Sequence, residues 1–196
     1  MRIDDEPVLI VPYDPLWPAR FDVETALIEQ AIGRWITGGI HHVGSTAVPG
    51  LAAKPVIDIM VGVKDLPSSR DCFGELGKLS YQYAPYRAAE MHWLCKPGPA
   101  RRTHHLHLVP AGSRRYRAEL AFRDILRSRR DLAVRYEKLK RILADEHHDD
   151  REAYTDAKQG FIAEVLALAD VVTSPKEVTI IVAPEARAGC RRDRER

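Results

Sequence analysis

Two short segments hold the residues best placed to do chemistry. The first, HVGSTAVPGLAAKPVIDIMV at residues 42–61, carries Gly44, Ser45, Thr46, Lys54 and Asp58. Gly44 permits a backbone course that other residues resist. Ser45 and Thr46 offer hydroxyls and amides that can receive a phosphate, as backbone nests do. Lys54 adds positive charge. Asp58 stands in the apolar run VIDIMV, where a carboxylate needs a partner, a metal or a cleft. An ordinary turn before a strand with a hydrogen-bonded acid would use the same Gly-Ser pair. Adding Lys54 and Asp58 at these spacings favours a polyanion or metal site.

The second segment is THHLHLV at residues 103–109. His105 and His107 are two apart, so on a strand they share one face while Leu106 and Leu108 take the other. If that strand lies beside the Asp58 strand, two imidazoles and a carboxylate form a zinc, iron or manganese set. The same pair could bind phosphate or move protons, or be no more than hydrogen-bonded histidines. His42 adjoins the turn and alternates in face with His41. Arg123 and Arg127 are one helical turn apart and could clamp a phosphate or carboxylate; with Asp124 they could equally form a salt-bridge network within the helix. Lys158 is a candidate to close over the same cleft, whereas Tyr136 and Tyr154 read as packing residues. Ser45 lacks a GxSxG elbow, so a hydrolase triad is unsupported. His92 and Cys95, three apart, fall on opposite faces of a strand.

The elements that must position these groups follow from punctuation and periodicity. Asp14-Pro15 predicts a helix start, continued by Leu16, Phe21, Leu27, Ile28, Ala31 and Ile32, with Gly33 near its end. A strand is predicted over 36–43, then a loop to Pro55 and a second strand to about residue 63. Pro67 and the residues from Ser68 suit a helix start leading through Phe73, Leu76 and Leu79. Residues 81–83 and 91–96 read as strands, and Pro97-Gly98-Pro99 turns the chain into the His-rich strand ending near Pro110. Helices are predicted over about 113–129, 131–146 and 150–172.

Composition narrows the partners. In 196 residues, 30 Lys plus Arg nearly cancel 28 Asp plus Glu, for a net charge of +2. That argues against a dedicated nucleic-acid binder. Cys72, Cys95 and Cys190 are odd in number and form no CxxC, which suits a reducing cytoplasm rather than a disulfide framework or zinc knuckle. The N-terminus does not read as a signal peptide, and no apolar stretch is long enough to cross a bilayer.

Taken in order, VPYDPLWPARFDVE at 11–24, the 42–61 segment, THHLHLV at 103–109, LAFRDILRS at 120–128, YEKLKRILA at 136–144, and Tyr154 with Lys158 resemble the GrpB family. The likeness runs over about residues 8–170. The family's fold is similar to that of the minimal nucleotidyltransferases. The resemblance implies an α/β (α+β) fold: a nucleotidyltransferase-like mixed sheet flanked by helices, with a helical C-terminal region. It implies one domain over 1–173, with a core of about 8–112 and a helical part of about 113–173. Residues 174–196 read as a mobile extension, with a candidate edge strand at 178–182.

Nucleotidyltransferases place two carboxylates two residues apart on one strand, with a third on a neighbour, to hold divalent metals. Here residue 60 is Met60, so the pair is incomplete while the phosphate-receiving turn is kept. The leading expectation is therefore a nucleotide or other phosphate-bearing small molecule as ligand. Gly44, Ser45, Thr46, Lys54, Arg123 and Arg127 would bind it, and Asp58, His105 and His107 would act as catalytic or metal-holding groups. Magnesium, manganese or zinc is the implied metal, and transfer of a nucleotidyl or related activated phosphate group the implied reaction. The alternatives are a non-catalytic nucleotide-binding or folding-accessory module, and a metal-dependent enzyme using His105 and His107. GrpB-like domains are also fused to some bacterial dephospho-coenzyme A kinases, which suits an accessory role.

Overall fold

One inner strand reads IDIMVGV, an almost unbroken apolar run, as a strand covered on both faces must. It is β2 (Ile57–Val63), second in a five-stranded sheet of order β1-β2-β5-β4-β3. The others are β1 (Ile36–Val43), β3 (Gln82–Tyr83), β4 (His92–Pro97) and β5 (Arg102–Pro110). β2 and β5 run parallel; every other pair is antiparallel. This is a computed structural model, and it describes residues 7–168. The extension expected at 174–196, its candidate strand at 178–182 and the predicted helix end at 172 lie outside those residues.

Period-two geometry sorts the sheet into two faces. One presents Ile57, Ile59, Val61, Leu106 and Leu108 to the helices α1 (Trp17–Ile32) and α3 (Phe73–Lys78), whose Ile28, Ile32 and Leu76 complete the main core. Ile59 is fully buried, a contribution of about 1.5–3 kcal/mol for such a side chain. The other face carries Asp58, Met60, His105 and His107 and is covered by α4 (Arg114–Ser128). Beyond it, α5 (Arg130–Glu146), α6 (Arg151–Ala157) and α7 (Gln159–Ala167) form the helical region; the short α2 (Leu66–Ser69) follows β2. Leu126, Leu132, Tyr136 and Val165 join these helices to Val48 and Leu51 of the loop after β1. The fold is thus a mixed α+β sheet flanked by helices with a helical C-terminal region. Among the described residues no helix is long and apolar enough to cross a membrane.

Two boundaries differ from expectation. Asp14 Oδ1 accepts from the Leu16 amide at 2.9 Å, but the helix begins only at Trp17, with Pro18 in its first turn. Asp14-Pro15 therefore forms the approach to the helix, not its start. The long helix expected from residue 150 is broken at Lys158, which ends α6 and precedes α7. Asp150 caps α6 by accepting from Glu152 and Ala153 amides, and Ser113 caps α4 by accepting from Tyr116, as short polar residues do at helix N-termini.

Candidate anion and metal site

At Gly44 the chain leaves β1 with φ 69° and ψ −169°, a conformation essentially confined to glycine. A 3₁₀ turn, Ser45–Ala47, follows. It is pinned from the opposite face of the sheet: His42 stacks on Phe21, 4.7 Å between ring centroids, and its Nε2 meets the Thr46 hydroxyl at 3.0 Å. Burial holds the His42 pKa down to about 4, so the ring is neutral and acts as a prop. It does not join Asp58.

Arg123 and Arg127 lie on one stripe of α4 with Tyr116 and Glu119. Arg123 Nη1 donates to the His42 carbonyl at 3.2 Å and Arg127 Nε to the Ala47 carbonyl at 2.9 Å. Arg123 also pairs with Asp124 at 2.7 Å. Both arginines thus grip the backbone around the turn, outside the set of side chains that line the cavity beside it.

That cavity, about 50 Å³, is lined by Ser45, Thr46, Lys54, Asp58, His105, Lys140, Tyr154 and Lys158, with Ala53 and Val56. Lys54 and Lys158 sit over the Tyr154 ring, 4.8 and 4.2 Å from its centroid. Lys140, only 1% exposed, lies 5.0 Å from the Tyr136 centroid and donates to the Ala52 carbonyl. Burial, then repulsion from Lys158, pushes Lys54 and Lys140 down to about 7; burial brings Lys158 to about 8. Among the described residues, three lysines therefore face one carboxylate in this cavity.

The carboxylate is committed to an imidazole. Across the parallel β2–β5 pair Asp58 stands opposite His105, and His105 Nδ1 donates to Asp58 Oδ1 at 2.8 Å. Burial alone would raise the Asp58 pKa, but the His105 hydrogen bond and nearby positive charge outweigh it and hold it at about 2. Burial lowers His105 to about 4 despite Asp58, so it is neutral at physiological pH. Its Nε2 is buried without a hydrogen-bond partner among the described residues. His107 Nδ1 meets Glu119 Oε2 at 3.2 Å, and Glu119 pairs with Arg115 at 2.9 Å. Asp58, His105 and His107 can each offer one ligand atom, all within 4.8 Å of one another. Met60, opposite His107, is fully buried with Val43, Met91, Trp93, Cys95 and Val109. The position of the absent second carboxylate is part of a core.

The structure therefore brings together Gly44, Ser45, Thr46, Lys54, Asp58 and His105, with His107 alongside, and sets Arg123 and Arg127 behind the turn. Lys158 is in the cavity wall. Sequence reading missed Lys140 and took Tyr136 and Tyr154 for packing alone. A signal existed: Lys140 falls on the buried stripe Leu132, Tyr136, Leu143 of α5, where a lysine needs a reason.

A mixed sheet with a Gly-Ser turn and an Asp–His pair across its parallel strands defines an α+β protein with a basic cleft over one sheet face. The chain belongs to the GrpB family: the model described as GrpB protein matches residues 7–168. It is similar to a UPF0157 protein of Pseudomonas aeruginosa, 37% identical over 185 residues, which cover 87% of this chain and 71% of that protein. The crystal structure of conserved protein GrpB from Enterococcus faecalis has a TM-score of 0.73 at 31% identity, over 82% of this chain and 96% of the other. A dephospho-CoA kinase of Mycolicibacterium paratuberculosis is 34% identical over 93 residues, 46% of this chain but 23% of the kinase.

Proposed function

We propose that this protein binds a phosphate-bearing small molecule, with the phosphate seated between the Gly44 turn and three lysines. The observation that carries this reading is the convergence of Lys54, Lys140 and Lys158 on one cavity where Asp58, the only carboxylate among the described lining residues, is already bonded to His105. Buried ammonium groups without anions are costly. A phosphate dianion offsets that cost, and the Ser45 and Thr46 hydroxyls suit its oxygens. A nucleotide is the ligand class that the likeness to nucleotidyltransferases favours, and the partial match to a dephospho-CoA kinase adds coenzyme A esters. With Met60 in the core, standard two-metal transfer has no second carboxylate, so binding is the primary role. Transfer of a nucleotidyl or related activated phosphate group would have to use the Asp58–His105 pair.

A second reading concerns a metal at Asp58, His105 and His107, favoured by their mutual reach and by the unpartnered His105 Nε2. Imidazole ligands suit zinc, manganese or iron better than magnesium. Glu119 would orient His107 as carboxylates do behind metal-bound histidines. A bound cation would add Lewis acidity and further attraction for phosphate.

The test is a thermal-shift panel of nucleotides, coenzyme A, pyrophosphate and uncharged analogues, each with and without zinc or manganese. Anionic phosphates are expected to raise the melting temperature, and added salt to weaken the effect. Shifts from neutral compounds alone would overturn the reading.

A further inference from the structure

The two carboxylate oxygens of Asp58 have different surroundings. Oδ1 accepts from His105 Nδ1 at 2.8 Å. Oδ2 is the atom that a side chain on Gly44 would meet first, so it lies beside the turn. Among the described residues none but His105 bonds or ion-pairs with Asp58, although Lys54, Lys140 and Lys158 line the same cavity. Oδ2 therefore keeps open lone pairs, and an ionised carboxylate can only accept hydrogen bonds. His105 adds a second acceptor. With Nδ1 donating to Asp58, the neutral ring carries a lone pair on Nε2, and that atom is buried without a hydrogen-bond partner among the described residues. The cavity thus sets the donors of Lys54, Lys140, Lys158, Ser45 and Thr46 against two groups that only accept.

A bare oxyanion satisfies the donors and is repelled by the acceptors. An oxyanion that still carries a proton satisfies both, because its O–H makes a charge-assisted hydrogen bond to the carboxylate. Resting on the phosphate reading above, we propose that Asp58 restricts the site to oxyanions that keep an acidic proton. The ligand class is hydrogen phosphate or the protonated terminal phosphate of a monoester. Sulfate, sulfate esters and phosphodiesters are excluded, since they have no proton to offer. Selection by leaving a buried polar group unpaired is stronger than selection by shape, and a repulsive element of this kind is a common source of specificity.

Calorimetric titration of the chelator-treated full chain with inorganic phosphate, sulfate and monofluorophosphate at neutral pH tests the proposal. All three offer dianions of similar shape, and only phosphate keeps a proton. Phosphate is expected to bind about a hundredfold tighter than either of the others. In Asp58→Asn, whose amide can donate, all three should gain affinity. Sulfate and monofluorophosphate should gain most, bringing the ratio to within about threefold of one; a melting curve checks the fold. The wild-type comparison needs no substitution and decides the proton requirement by itself. Phosphate binding matched or exceeded by sulfate and monofluorophosphate overturns this proposal and leaves the phosphate seat standing. A preference for phosphate that persists in Asp58→Asn overturns the assignment of selectivity to Asp58. Absence of binding by all three overturns the phosphate reading and this one with it.

Discussion

The backbone of Gly44 passes so close to Asp58 that any side chain at residue 44 would overlap the Asp58 carboxylate. One glycine thus sets both the turn that faces the cavity and the position of its acid. Gly44→Ala combines that overlap with a backbone conformation hostile to L-residues. A destabilisation of about 1–3 kcal/mol is expected from the strain alone, with loss of phosphate binding. Urea unfolding and a phosphate titration of the same variant measure the two effects. Unchanged values in both would show that the turn has another role.

Lys158→Met should move stability and binding in opposite directions. The substitution removes a half-buried charge that repels Lys54 and Lys140, so ligand-free melting at pH 7 should hold or rise. Affinity for pyrophosphate should fall about tenfold, the scale of a charge-assisted hydrogen bond. A variant that melts lower and binds equally well would mark Lys158 as structural.

The lysines also set a pH dependence. Their pKa values are lowered on folding, from the ordinary 10.5 to about 7 for Lys54 and Lys140 and about 8 for Lys158. Between about pH 7 and 10.5 the unfolded chain therefore binds more protons, and the stability of the ligand-free protein should rise with pH. Phosphate binding favours the charged lysines, so it should take up protons near pH 8 and weaken toward pH 9. Calorimetry in buffers of different ionisation enthalpy reads the uptake; zero net proton exchange would contradict it.

Asp58→Asn divides the metal reading from the phosphate reading. It keeps an acceptor for His105 but removes the carboxylate that faces the three lysines. Zinc or manganese retention should be lost, while phosphate binding in chelator-treated protein should tighten. Loss of both would give Asp58 a structural role. Met60→Asp, by contrast, would bury a carboxylate in a fully enclosed apolar cluster and should cost about 3 kcal/mol or more, so it is no simple route to a two-metal site.

Much of this architecture was legible because it rests on local rules. The apolar run VIDIMV marks a strand around Asp58, and the spacing of His105 and His107 puts them on one face wherever their strand lies. That it lies beside β2, in register with Asp58, depends on a parallel crossover that no local pattern encodes, so from sequence it stands only as a condition. Arg123 and Arg127 were rightly seen as one stripe, but spacing cannot say whether a guanidinium meets a ligand or a carbonyl. Lys140 escaped notice because helix α5 is rich in lysine and arginine, and only tertiary packing makes one of them inaccessible. The break at Lys158 carries no proline or capping signal before it, and so the helix was read as continuous.

The most direct measurement is a titration of pyrophosphate into metal-free wild-type protein and into the Lys54→Met, Lys158→Met double variant, at low and at high salt. Saturable one-to-one binding by the wild type, weakened by salt and lost in a double variant that still melts cooperatively, is the expected result. Equal binding by both proteins, or none by the wild type, would contradict a phosphate seat among the lysines.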